Sequence, residues 1–145
     1  MIRRRIRSDV LGVLFFGALC GCGKSTPYSK PAINMSEGDG LCSRNKLIDV
    51  RGQVFSEQGC EASSTGWIAG VNKGPAVYAM IDNLFSAVLT DAASAMCPET
   101  GVKSPAYTIW RSSESDAPTD FISICPTNTT PTQLQQSLLN AMKGL

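Results

Sequence analysis

The chain has 145 residues, thirteen Lys plus Arg against twelve Asp plus Glu, and no histidine. The missing imidazole removes the commonest general base, the Ser–His and Cys–His nucleophile pairs and the commonest metal ligand, so neither catalysis nor a metal is expected. Beyond the N-terminal arginines there is no basic run, which excludes nucleic acid as an expected partner.

Arg3, Arg4, Arg5 and Arg7 open the chain as a cationic segment, followed by the apolar run Val10–Leu19. The run is too short for a membrane span, which takes about 20 residues, and matches the core of a secretory signal. It ends in Leu19-Cys20-Gly21-Cys22. Charge, apolar run, aliphatic residue, two small residues and cysteine, in that order, resemble the signal and lipobox of bacterial lipoproteins. The resemblance covers residues 1–22 and implies cleavage after Gly21, acylation of Cys22 and a membrane reached through covalent lipid such as palmitate. Cys20 departs from the usual Ala or Ser at its position. Gly23 and Lys24 follow the acylated cysteine and no Asp stands there, which resembles the outer-membrane sorting pattern. The expected location is therefore the cell envelope, lipid-anchored at the outer membrane.

Ala18–Ser25 also fits a relaxed phosphate-loop pattern ending Gly23-Lys24-Ser25. Such a loop needs a helix N-terminus behind it to bind phosphate, and Pro27 and Pro31 fall where its first turns would run. No nucleotide or other cofactor is expected.

Removing residues 1–21 takes away four arginines and Asp9, so the mature 124 residues carry nine basic and eleven acidic groups, a net of −2. Cys42, Cys60, Cys97 and Cys125 remain beside the acylated Cys22. An even set in an oxidising compartment reads as disulfides, with three pairings allowed. The local layout favours Cys42–Cys60 and Cys97–Cys125. Without a Cys-x-x-Cys or a histidine, zinc would need four scattered thiolates.

Residues 22–40 are rich in Gly, Ser and Pro with no sustained apolar period, and read as the acylated cysteine followed by a flexible tether with a span of roughly 25 Å. The folded unit is expected over 41–145. Leu47–Phe55 alternates as one half-buried strand, with Gly52 as a bulge. Residues 61–74 read as a loop pinned by Trp67 and Ile68. Gly74-Pro75 opens a helix whose apolar residues Val77, Tyr78, Ile81, Leu84, Phe85, Val88, Leu89, Ala92 and Met96 recur at helical steps. Pro98 stops it just beyond Cys97. Ala106–Ser112 and Asp120–Cys125 form a hairpin across a polar connection, with Tyr107 and Ile109 on one face and Trp110 on the other, where a loop is expected to cover it, a surface aromatic suited to binding being the alternative. Thr130-Pro131-Thr132-Gln133 fits a capped helix start, and Leu134, Leu138, Leu139 and Met142 form that helix's apolar side before Gly144.

The order β-α-β-β-α defines an α+β fold: a small antiparallel sheet, two helices on one face and two disulfides. For function the sequence leads to a non-enzymatic envelope role, in protein–protein interaction or assembly of an envelope machine, with an envelope protein as partner. A small-molecule, glycan or peptide binder using Trp67 or Trp110 is the alternative, and a carboxylate-based hydrolase stands third.

Overall fold

A computed structural model describes residues 26–38, 41–60, 63–91, 106–113, 120–124 and 131–145. The expected signal, Cys22, Cys97 and Cys125 lie outside the described residues, as do Ala92, Met96 and Pro98. The first helix itself ends earlier than expected, at Thr90, where Asp91 takes an extended backbone and its N–H turns to the Val88 carbonyl.

The described elements are β1 (Ala32–Gly38), β2 (Cys42–Asp49), β3 (Gln53–Cys60), β4 (Ser63–Ser64), β5 (Ile68–Asn72), α1 (Pro75–Thr90), β6 (Ala106–Ser112), β7 (Asp120–Ile124) and α2 (Gln133–Lys143). All described strands join one antiparallel sheet in the order β4-β3-β2-β1-β6-β7, with β5 also paired to β3. The α+β class and the β6–β7 hairpin agree with the sequence reading. The element order does not, because five strands stand before α1 where the sequence presents one.

The largest difference is β1. It lies in the stretch read as tether, yet it is central, pairing with β2 on one side and β6 on the other. Ala32, Ile33, Asn34 and Met35 are all buried. Its apolar signal is weak because only Ile33 and Met35 are large and point to one face, while small or polar Ala32, Asn34 and Ser36 point to the other. Two flanking ladders hold it where hydrophobic period alone would not.

The expected single strand 47–55 is a hairpin. Gly52, with φ of 81°, completes the turn at Val50–Gly52 and donates its N–H to the Asp49 carbonyl at 2.8 Å. It is a turn glycine, not a bulge. A Cβ there would overlap the Gly74 backbone, so the position needs glycine for conformation and for space. The doubling back brings Cys42 opposite Cys60, and the two form a disulfide. This is one of the two expected bridges; the other involves undescribed residues.

One face of the sheet carries both helices. Ile33, Met35, Ile48, Val54, Tyr107, Ile109, Ile122 and Ile124 meet Tyr78, Ile81, Phe85 and Val88 of α1 and Leu138, Leu139 and Met142 of α2 in one buried core. Leu89 and Leu134, expected on the inner faces, stay more than a third exposed because they fall at the edges of those stripes. Arg111 of β6 clamps this layer. Its guanidinium reaches Asp82 at 2.7 Å, Ser86 at 2.8 Å and Asp120 at 3.5 Å, and sits 4.9 Å from the Phe85 ring centre.

α2 starts two residues later than expected. Thr132 is the N-cap, its hydroxyl accepting the Gln135 N–H at 3.2 Å while the Gln135 side chain accepts the Thr132 N–H at 3.0 Å. The sequence contains two overlapping capping boxes, Thr130/Gln133 and Thr132/Gln135, and the second lets Leu138, Leu139 and Met142 face the core.

Candidate functional site

The other face of the sheet bears no helix among the described residues. Strand register places Ala69, Phe55, Leu47, Asn34, Trp110 and Phe121 side by side across β5, β3, β2, β1, β6 and β7. A polar row runs beside it, with Glu57, Asn45, Ser36, Thr108 and Ser123 across β3, β2, β1, β6 and β7.

The two halves of the apolar row differ. On the β3 side, Ala32, Leu47 and Phe55 form a small buried cluster, closed by Tyr28 and Trp67. Tyr28 arrives on the segment 26–31, which crosses this face before β1 begins. Its ring lies 6.1 Å from that of Phe55 and 5.9 Å, edge-on, from that of Trp67. Trp67 thus pins the 61–74 connection as expected. Ile68 does not, being 57% exposed on β5, and the connection is not a plain loop but carries strands β4 and β5.

The carboxylate of Asp49 holds the segment down. It is fully buried and accepts the N–H groups of Ser29 (3.1 Å), Arg51 (2.9 Å) and Gln53 (3.0 Å) as well as Nε (3.2 Å) and Nη2 (2.9 Å) of Arg51. Burial by itself would raise its pKa, but the bonds from Ser29, the Arg51 side chain and the Gln53 and Arg51 amides outweigh that and hold it below the ordinary carboxylate value. Pro31 adds a carbonyl that accepts the Val50 N–H at 3.0 Å. Each of these bonds belongs to a turn or a strand junction, so the perturbed carboxyl has a structural assignment.

On the β6–β7 side the row is more exposed among the described residues. Trp110 is half-buried and its cross-strand neighbour Phe121 is 54% exposed. Asn34 beside Trp110 is buried with its amide satisfied by Ser112 Oγ at 2.7 Å. Trp67 and Trp110 therefore share a face but not a site: three strand spacings, about 14 Å, separate β3 from β6. The sequence singles out Trp110 and misses Phe121. The alternation Phe121-Ile122-Ser123-Ile124 carries the signal, since burial of the isoleucines turns Phe121 outward.

A groove of about 260 Å³ lies at the β2–β3 edge, lined by Arg44, Lys46, Glu57, Gln58, Thr65 and Ile68 among others. Glu57 there accepts from Ser64 and Asn45, and Lys46 Nζ donates to the Lys143 carbonyl at 2.8 Å. Neither tryptophan lines it. Among the described residues no group of His, Cys, Asp or Glu is placed to hold a metal, and no helix is long and apolar enough to cross a membrane.

Comparison of the chain with protein-family models, with curated proteins and with solved structures finds no match.

Proposed function

We propose that the protein is a lipid-anchored envelope lipoprotein, acylated at Cys22, whose domain acts without catalysis by docking another envelope protein. The observation that supports the docking role is a sheet face that carries no helix among the described residues, where Trp110 and Phe121 stand together near its edge while both described helices occupy the opposite face. Aromatic side chains with little rotamer freedom are the ones that anchor protein interfaces, and a half-buried Trp beside an exposed Phe supplies such an anchor. The anchor itself rests on the Arg-rich segment, the apolar run and the Leu19–Cys22 box.

The small-molecule alternative draws less support. The groove lies just below the usual 300–1,000 Å³ of ligand pockets, and its acid and one of its bases are already engaged within the protein.

Lipid labelling and crosslinking in membranes test the two halves of this reading. Radiolabelled palmitate is expected in the wild-type protein and not in Cys22→Ser, and a crosslinked pull-down from membranes is expected to recover a discrete protein adduct. Labelling that survives in Cys22→Ser and disappears in Cys20→Ser would move the anchor to the other cysteine.

A further inference from the structure

We infer that one corner of the domain, where the segment 26–31 meets β3 and β5, lies against the phospholipid surface. The inference rests on the lipoprotein reading and goes beyond it, because a long tether would leave the domain free to tumble. The fold removes most of that tether. Tyr28 is already packed on Phe55 and Trp67, and the Ser29 N–H is bound to buried Asp49. Six residues from Cys22 to Tyr28 span at most about 20 Å even fully extended. The lipid is therefore leashed within that distance of Tyr28, which brings the side chains around it nearer the headgroups than the rest of the domain.

Their chemistry suits the encounter. Tyr28 and Trp67 have apolar bodies and polar tips, the combination that settles at the level of lipid headgroups. Val71 of β5 is 69% exposed, and Arg51 keeps 59% of its side chain exposed while bound to Asp49. Lys73 is also exposed, and its N–H donates to the Gly52 carbonyl at 2.8 Å, which sets it beside the Arg51 turn. Each cation near an anionic leaflet contributes about 1 kcal/mol. Among the described acidic groups, Asp120 lies across the sheet at the start of β7, while Glu57 on β3 accepts from Ser64 and Asn45 and Asp49 is buried under its own donors. An anionic surface would draw the Arg51–Lys73 corner inward and turn the Trp110–Phe121 edge outward, where a protein partner could reach it.

The chain has two tryptophans, one near each side of the face, so each can report its own depth. The full-length protein would be expressed as Trp110→Phe, leaving Trp67, and as Trp67→Phe, leaving Trp110. Both would be purified from membranes, with acylation verified by intact mass, and placed in vesicles of acyl-brominated phosphatidylcholine with or without phosphatidylglycerol. Bromine quenching of Trp67 is expected to exceed that of Trp110 severalfold. Adding Lys73→Glu to the Trp67-only protein is expected to lower that quenching in the vesicles with phosphatidylglycerol and to leave it unchanged in those without. Equal quenching of the two residues, or stronger quenching of Trp110, in acylated protein would overturn the orientation. A mass without lipid would instead overturn the lipoprotein reading on which it rests.

Discussion

Asp49 shows how one residue can join distant parts of a chain. Its carboxylate collects donors from the entering segment, from its own turn and from the first residue of β3. The fold holds its pKa below the unfolded value of about 3.9, so its contribution is present above that value and is lost as pH falls through the lower folded one. Urea denaturation across pH 2 to 7 should show stability falling below about pH 4. Asp49→Asn, which replaces acceptor lone pairs with an NH₂ facing N–H donors, should cost about 2 kcal/mol at neutral pH and flatten that acid slope. An unchanged slope in the variant would assign the acid sensitivity to other carboxylates. None of this was legible in the sequence, where Asp49 reads as the polar side of an alternating strand. Only the tertiary return of residues 28–31 makes it a buried hub.

At the scale of elements, the existence of both helices and the last hairpin was legible, the end of α1 and the start of α2 were not, and neither were the N-terminal strands. The α1 stripe is long, Pro75 marks its start, and Tyr78, Ile81, Phe85 and Val88 are buried as their spacing requires. β1 is half polar, follows Pro31 and ends in Gly38, so its strand character comes from neighbours far along the chain. The turn at Gly52 was hidden because the residues on either side keep the same parity: Ile48 faces Val54 and Leu47 faces Phe55 across it. Two substitutions test these assignments. Gly52→Ala should destabilise by about 1–3 kcal/mol, since the residue must hold a positive φ against the Gly74 backbone. Thr132→Ala should cost about 1 kcal/mol through loss of the cap, while Thr130→Ala should cost little. Thermal denaturation that ranked the two threonines the other way would place the start of α2 at the earlier box.

For the whole molecule, the proposed docking role rests on the division of the sheet, among the described residues, into a face that carries both helices and a face that carries none. The Cys42–Cys60 bridge closes the far end of the β2–β3 hairpin, a separation of 18 residues, and should contribute about 3 kcal/mol in the chain-entropy account. Cys42→Ala with Cys60→Ala should therefore lower the urea midpoint without changing the sheet face that carries Trp110. The candidate surface was half legible: alternation separates Trp110 from Tyr107 and Ile109, but its pairing with Phe121 depends on hairpin register, which a polar connection of that length does not set. The claim that this face receives a protein partner is tested most directly by photocrosslinking in intact envelopes. A benzophenone side chain would stand in place of Phe121 in one variant and in place of Met80, 49% exposed on the outer side of α1, in another. A discrete adduct from position 121 and none from position 80 is the predicted result. The same adducts from both positions, or adducts from position 80 alone, would contradict it.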